Sequence, residues 1–174
     1  MNKVLIVGGG KGGVGKTTVT IALVDALVTD GQDVLLVESD DSNPDAWKAL
    51  NGLVRCEVCN LDNEGGYIAL GNLIEANPKS VVVVNTGARA TASLIEFGGI
   101  VKDVCQAMKR NLTIVWPINR QRDCIELLND LIADKLIDNR LALSNADDKL
   151  SIAEKSVLGR YRTAAKKAIE ACYV

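Results

Sequence analysis

The sequence predicts an α/β fold: a single doubly wound domain with a mainly parallel sheet flanked by helices. Three observations predict it. Short apolar runs alternate with longer segments of helical periodicity, an order typical of parallel strands joined by right-handed crossovers. The apolar runs are continuous, as in VVVV at 81–84, which is typical of strands buried on both faces. The 174 residues contain no evident repeat or linker, so we expect one domain over 1–174.

Five apolar runs are predicted as strands because they are short and rich in Val, Ile and Leu. They cover residues 3–7, 34–37, 80–84, 112–116 and 140–144. Pro117 follows the fourth run and should end that strand, because proline lacks a backbone donor. Residues 53–61 are ambiguous, and a strand is one interpretation of them.

The segments between these runs have apolar residues at helical spacing. They cover residues 17–29, 44–50, 64–76, 91–110, 123–136 and 151–172. The second of these helices is expected to take Asn43 as its N-cap and Pro44 as its first residue, since proline suits that position. Gly98 and Gly99 should break the helix over 91–110.

Composition excludes several classes of chemistry. The chain contains no His, which removes His-based acid–base catalysis, His-dependent nucleophiles and His-ligated metals. Five scattered Cys residues without a secretion signal are interpreted as reduced thiols. Because no apolar run reaches the 18 residues of a membrane span, we expect a cytoplasmic protein with no integral membrane segment.

The most informative segment is Gly8–Thr18, which reads GGGKGGVGKTT between a predicted strand and a predicted helix. Residues 10–17 fit the phosphate-binding pattern G-x-x-x-x-G-K-[ST]. Glycines let successive N–H groups point at a phosphate, and the helix N-terminus adds partial positive charge. Lys16 should reach the β- and γ-phosphate oxygens, and the Thr17 hydroxyl should ligate Mg²⁺.

Lys11 is an additional lysine that this pattern does not require. With it, residues 11–18 read KGGVGKTT and resemble the ParA/MinD family of ATPases with a deviant Walker A motif, within the P-loop NTPase fold. The resemblance implies ATP and Mg²⁺ as cofactors and a homodimer in which Lys11 contacts the nucleotide of the other subunit. Its implied nucleotide-binding segment comprises Gly10, Lys11, Gly12, Gly13, Val14, Gly15, Lys16, Thr17 and Thr18.

Residues 34–40, VLLVESD, resemble the second strand and switch I of that family. The resemblance implies that Asp40 positions the attacking water and that Glu38 and Asp40 organise the Mg²⁺ shell, although Glu38 stands where Asp is usual. Independently, two acids at the end of a strand beside the phosphate-loop strand would lie where open α/β sheets bind ligands.

Residues 81–88, VVVVNTGA, resemble the Walker B strand and switch II, with Asn85 in place of the family's Asp. An amide oxygen accepts from metal-bound water but carries no charge. Slow hydrolysis is therefore expected, and Asn85→Asp should raise turnover if the missing charge limits it. The resemblance also implies that Gly87 presents its N–H to the γ-phosphate.

Three features are less specific. Asn145 occupies the place of the family's adenine-contacting Asn, and Asp123 fits either a helix N-cap or a functional acid. Cys56 and Cys59 form a lone C-x-x-C, which would need a symmetric dimer to complete a four-thiolate metal site. The basic segment 151–174 could contact DNA or an anionic membrane, but its apolar residues favour packing on the sheet.

The function that these residues indicate is an ATP-dependently dimerising, slowly hydrolysing switch ATPase. The resemblance implies that it positions or transfers DNA, a plasmid or a protein complex, as in plasmid partition or conjugative mobilisation. It also implies a protein activator or adaptor, with non-specific DNA as another candidate partner. The alternatives are a hydrolysis-poor nucleotide-binding regulator or scaffold, a metal-cluster delivery ATPase and a small-molecule kinase.

Overall fold

The protein is described here from a computed structural model that covers residues 3–118, 126–128 and 139–144, the last range for its backbone alone. Six strands form one sheet in the order β3-β2-β4-β1-β5-β6, and every pairing is parallel. The strands are β1 (Lys3–Val7), β2 (Val34–Glu38), β3 (Arg55–Val58), β4 (Val81–Asn85), β5 (Asn111–Ile118) and β6 (Asn139–Ser144).

Four complete helices are described: α1 (Lys16–Thr29), α2 (Asp45–Leu50), α3 (Glu64–Ala76) and α4 (Ala90–Ala107). Residues 126–128 are also helical. Side chains alternate between the two faces of each strand, so the sheet has two cores. Leu5 and Leu36 pack in one core with Leu23 of α1, whereas Ile6 of β1 packs in the other with Tyr67 of α3. The predicted doubly wound arrangement is confirmed.

The strand order corrects one expectation about the sheet. We expected the strand over 34–37 to lie beside the phosphate-loop strand, but β4 lies between β2 and β1. After β3 the chain passes through α3, on the face of the sheet opposite to α1, and β4 then inserts between β2 and β1. The ends of β2 and β4 are consequently neighbours, and β4 is the strand that adjoins β1.

Two expected interruptions are absent. Helix α4 runs unbroken through Gly98 and Gly99, and Gly98 is one of its buried residues, so packing outweighs the weak helix propensity of glycine there. Pro117 lies inside β5 and not after it. The pairing of β5 with β1 ends at Val115, and Pro117 lies beyond it, where β5 pairs with β6 alone. The missing N–H of Pro117 therefore removes no hydrogen bond between β5 and β1.

The remaining boundaries differ little from the prediction. Segment 53–61 does contain a strand, β3, and α2 begins at Asp45, one residue after Pro44, with no side-chain cap. Of the predicted helix over 123–136 the structure describes residues 126–128, and the helix over 151–172 lies outside the described residues. No helix in the described ranges has the length and apolar character that crossing a bilayer requires.

At the amino edge of the sheet, Arg110 joins several elements. Its side chain is 5% exposed. The two terminal nitrogens donate to four carbonyl oxygens, those of Lys3, Ile74, Asn77 and Ser80. These carbonyls belong to the start of β1, the end of α3 and the turn before β4. One guanidinium thus connects both ends of the α3–β4 connection to the central strand.

Candidate functional site

The glycine-rich loop connects β1 to α1 at the carboxyl edge of the sheet. Two of its glycines have left-handed backbone conformations, with φ of 77° at Gly13 and 96° at Gly15. Residues with a Cβ rarely adopt such angles, so these positions favour glycine. Gly15 immediately precedes the first residue of α1. The sharp turn therefore brings the loop directly onto the positive end of the helix.

The side chain of Lys16 lies inside this loop. It is 8% exposed, and its ammonium donates to the carbonyl oxygens of Gly9 at 3.1 Å and Lys11 at 2.9 Å. These carbonyls belong to the loop itself, so the loop encircles the cation. An ammonium held inside a loop of this kind lies where it could contact a bound anion, and charge-assisted hydrogen bonds of that kind are strong.

The loop has room on its outer side. A Cβ added at Gly12 or Gly13 would meet no atom within 4 Å, whereas one at Gly10 would collide with Leu127. Packing therefore explains the glycine at position 10 but not those at 12 and 13. The space beside Gly12 and Gly13 lies next to Lys11, whose carbonyl contacts the ammonium of Lys16. A phosphate group bound by backbone N–H groups would fit there.

The other predicted loop residues have different environments. Val14 is 1% exposed and anchors the loop in the core, which makes its side chain structural. Thr17 is half-buried in the first turn of α1, Thr18 is exposed, and Lys11 is half-buried. The partial exposure of Thr17 in the first turn of α1 is compatible with its predicted role as a Mg²⁺ ligand.

Glu38 and Asn85 meet at the ends of β2 and β4, where they are paired in register. The Asn85 amide donates to both carboxylate oxygens of Glu38, at 2.9 and 3.1 Å. Its own oxygen accepts from the Thr20 hydroxyl of α1 at 2.9 Å. Burial raises the pKa of Glu38, against hydrogen bonds from Asp40, Asn85 and Trp47 that lower it. The sequence analysis missed Thr20, although it lies one turn after Thr17 on the same helix.

Asp40 lies in the loop after β2. Its carboxylate accepts from the Ser42 hydroxyl at 2.7 Å and the Asn43 N–H at 3.1 Å, so part of its hydrogen-bonding capacity shapes its own turn. The preceding residue, Ser39, was also missed. Its hydroxyl accepts from the N–H of Gly87 at 3.3 Å, which joins the loops after β2 and β4.

The two cysteines of the C-x-x-C motif face different cores. Cys56 packs with the core on the α1 side of the sheet and Cys59 with the core on the α3 side. The thiol of Cys59 donates to the carbonyl of Gly66 at 3.1 Å, and burial raises the pKa of both thiols. Within the described ranges, no group of three or more Cys, Asp or Glu side chains could hold a metal. This arrangement does not favour metal-cluster delivery.

Three sequence predictions lie outside the described residues. Asn145, the predicted adenine contact, lies outside the described residues, and so does Asp123. The basic segment 151–174 is outside them as well. The described site thus contains the phosphate loop and the ends of β2 and β4, and the adenine contact stays a prediction.

Comparison with known proteins agrees with this geometry. The CobQ/CobB/MinD/ParA nucleotide-binding domain model matches residues 5–157. The MobD protein of Acidithiobacillus ferrooxidans is 46% identical over 127 residues, which are 73% of this chain and 56% of MobD. The chain therefore spans a little over half the length of this relative.

Solved structures share the fold at low sequence identity. Cobyrinic acid a,c-diamide synthase from Mycobacterium smegmatis, with bound ATP analogue and magnesium, has a TM-score of 0.58 at 18% identity; the match covers 91% of this chain and 81% of that one. The signal recognition particle receptor FtsY from Elizabethkingia anophelis has a TM-score of 0.59 at 17% identity, with 82% and 50% covered. From its matched sequence over 5–157, the chain belongs to the CobQ/CobB/MinD/ParA family of nucleotide-binding domains.

Proposed function

We propose that the protein is an ATP-dependent switch whose triphosphate group binds in the loop over residues 10–18. The observation that carries the proposal is the buried ammonium of Lys16, which the loop surrounds with its own carbonyl oxygens. The phosphates of ATP would accept hydrogen bonds from this cation, with loop N–H groups and the N-terminus of α1 binding the remaining phosphate oxygens. The relative whose structure holds an ATP analogue and magnesium shares this fold.

Mg²⁺ fits the same edge of the sheet. Thr17 would ligate it directly, while Glu38 and Asn85, at the ends of β2 and β4, and Asp40, in the loop after β2, would organise its shell. When bound, the ion would neutralise charge on the phosphates and so assist γ-phosphate transfer to water. Asp40 would orient that water. Gly87 would donate its N–H to the γ-phosphate after releasing Ser39.

Lys11 supports a dimeric form of the switch. Its carbonyl accepts a hydrogen bond from Lys16, which fixes the backbone at this position, and the residue is half-buried. A lysine that reaches the phosphates of a second subunit would neutralise charge only after dimerisation. ATP binding would then close the dimer and hydrolysis would open it.

The replacement of a charged acid by Asn85 favours slow hydrolysis, because the amide adds no negative charge at the metal. A protein activator or adaptor would then control turnover. The same observation favours a second candidate function, a nucleotide-binding regulator or scaffold with negligible hydrolysis. Steady-state phosphate release, measured with and without DNA, separates the two.

The similarity to MobD favours a role in DNA mobilisation among the processes that this family serves. We infer a cytoplasmic protein that moves or positions DNA, a plasmid or a protein complex in step with its nucleotide cycle. ATP-dependent retention on non-specific DNA, compared in ATP and ADP, would test direct DNA binding. Retention that is equal in both nucleotides would contradict the switch.

Lys16→Ala tests the nucleotide site. Removing the cation should weaken binding of a fluorescent ATP analogue by roughly 10- to 100-fold, the range expected for a charge-assisted contact. Lys79→Ala is the matched control, because Lys79 is exposed in the turn before β4, at the opposite edge of the sheet. Unchanged binding by the Lys16 variant would overturn the proposed function.

Lys11→Ala tests the dimer. Alanine retains the carbonyl that accepts from Lys16, so binding of the ATP analogue should stay within about threefold of the wild type. The dimer formed with a non-hydrolysable ATP analogue should be lost. Light scattering after gel filtration measures both states, and a variant that still dimerises with ATP would contradict the role of Lys11.

A further inference from the structure

The carboxylate of Glu38 and the amide of Asn85 form a buried pair across β2 and β4. Glu38 is 0% exposed and Asn85 is 2% exposed. The amide nitrogen contacts both carboxylate oxygens. Because an ionised carboxylate only accepts hydrogen bonds, it fixes the amide with its nitrogen toward Glu38 and its oxygen toward Thr20. The pair has a single orientation.

The groups that donate to Glu38 are neutral. They are the amide of Asn85 and the backbone N–H groups of Asp40 and Trp47. The charged group that acts on Glu38 is a second acid, Asp40. Buried charges in proteins are ordinarily paired or coordinate metals. Among the described residues that donate to it, no cation compensates Glu38, so this carboxylate is matched to a cation that arrives with a ligand.

We propose that Glu38 alone supplies the carboxylate charge that the ends of β2 and β4 offer to a nucleotide-bound Mg²⁺, and that Asn85 is a positioning residue that holds Glu38 in place. The proposal rests on the proposed function, since the metal would enter with the nucleotide. The pair carries one negative charge, and the strand that carries it is β2. Asn85 therefore does not leave the site without a charge.

Thr20 extends the pair to helix α1. Its hydroxyl, which is fully buried, donates to the oxygen of Asn85. Residues three apart are neighbours on a helix, so Thr20 lies beside Thr17, the expected Mg²⁺ ligand. A continuous chain of hydrogen bonds thus links Thr20 in α1, through Asn85, to the carboxylate of Glu38 on β2. Positioning groups of this kind typically alter metal affinity by about 10- to 100-fold when removed.

Exchange of the two functional groups gives the sharpest test. Glu38→Gln removes the charge while keeping nearly the same shape. The double variant Glu38→Gln/Asn85→Asp returns the charge on the neighbouring strand, with the new amide able to donate to the new carboxylate. Asp41→Asn is the matched control, an acid-to-amide change at an exposed residue of the same loop.

The measurement is the Mg²⁺ concentration that half-maximally enhances binding of a fluorescent ATP analogue, with binding in EDTA as the baseline. Glu38→Gln should raise this concentration by about 10- to 100-fold and leave the EDTA baseline unchanged. The double variant should return to within about threefold of the wild type. The Asp41 control should match the wild type.

Two results would overturn the roles proposed for Glu38 and Asn85: a normal Mg²⁺ response in Glu38→Gln, or no recovery in a double variant that melts at the wild-type temperature. If Glu38→Gln does not fold, the double variant alone decides. If neither folds, Thr20→Val decides, because it keeps the charge but releases the amide and should weaken the Mg²⁺ response at least threefold. A wild type that binds no nucleotide even in EDTA would instead overturn the proposed function.

Discussion

The backbone N–H of Gly87 donates to the hydroxyl of Ser39 at 3.3 Å, so the loops that follow β2 and β4 are joined directly. The resemblance of residues 81–88 to switch II of the ParA/MinD family implies that this same N–H would contact the γ-phosphate of ATP. Ser39 is 9% exposed, and a Cβ placed on Gly87 would lie 3.8 Å from the carboxyl carbon of Asp40. A γ-phosphate would therefore have to replace the Ser39 hydroxyl as the acceptor.

Ser39→Ala should favour ATP over ADP more strongly than the wild type does. Removal of the hydroxyl frees the Gly87 N–H, and a neutral hydrogen bond is worth about 0.5–1.5 kcal/mol. We expect the ratio of ADP to ATP-analogue dissociation constants to rise roughly 2- to 10-fold. Isothermal titration calorimetry measures both constants. Ser39→Thr retains the hydroxyl and is the control, and an unchanged ratio in the alanine variant would refute this exchange of acceptors.

Asn85→Asp should destabilise the protein, and loss of the contacts that hold Glu38 should keep turnover from rising, although the sequence predicts faster turnover if the missing charge at position 85 limits it. The new carboxylate would take the place of an amide nitrogen that contacts both oxygens of Glu38. Loss of a buried bond to a charged group costs about 1.5–3 kcal/mol, which urea unfolding at pH 7 would detect. Asn72→Asp, on an exposed face of α3, is the control. Faster hydrolysis at unchanged stability would contradict this prediction.

Two glycine substitutions should have opposite effects. A Cβ on Gly66, in the first turn of α3, would collide with the carbonyl oxygen of Asn60, so Gly66→Ala should cost about 1–3 kcal/mol or more. A Cβ on Gly99 would meet nothing within 4 Å. Because alanine stabilises a helix interior, Gly99→Ala should add roughly 0.5–1 kcal/mol. Thermal melting compares the two, and a destabilised Gly99 variant would count against the unbroken helix α4.

Tyr67→Phe should reduce the loss of stability at alkaline pH. Tyr67 is buried, its hydroxyl pairs with Ser93, and burial raises its pKa to about 12. An unfolded tyrosine ionises near pH 10, so above that pH the unfolded state holds fewer protons and stability falls. Between pH 10 and 12 the wild type should lose roughly 2–3 kcal/mol through this group.

Urea unfolding at pH 8 and pH 12 measures this difference. Burial also raises the pKa of Cys105 to about 11, so part of the alkaline loss between pH 9 and 11 should persist in the Phe variant. The further decrease in the free energy of unfolding between pH 11 and 12 comes mainly from Tyr67. An identical fall in both proteins would contradict the assignment.

Much of the fold is predictable because its strands are buried on both faces. The runs at β1, β2 and β4 are purely apolar over most of their length, and the structure keeps them within one residue of their predicted bounds. The phosphate loop is predictable for a different reason. Gly13 and Gly15 have positive φ angles, and the preference of such positions for glycine is a local property that the sequence shows directly.

Features that depend on distant contacts could not be predicted. Sequence order does not reveal that β4 inserts between β2 and β1, and without that insertion the pairing of Glu38 with Asn85 cannot be foreseen. Pro117 continues a strand because β1 has already ended beside it. Gly98 does not break α4 because packing of the helix against the sheet outweighs its weak intrinsic propensity.

The hydrogen bonds of Arg110 stabilise the amino edge of the sheet, which lies opposite the edge that carries the candidate site. Its guanidinium holds four carbonyl oxygens of three separate segments and belongs to none of the loops that would handle nucleotide. The amino edge is therefore held together by contacts that do not depend on the loops at the carboxyl edge. If the Gly87 N–H exchanges the Ser39 hydroxyl for a phosphate, the loops after β2 and β4 can rearrange while the pairing of their strands is retained.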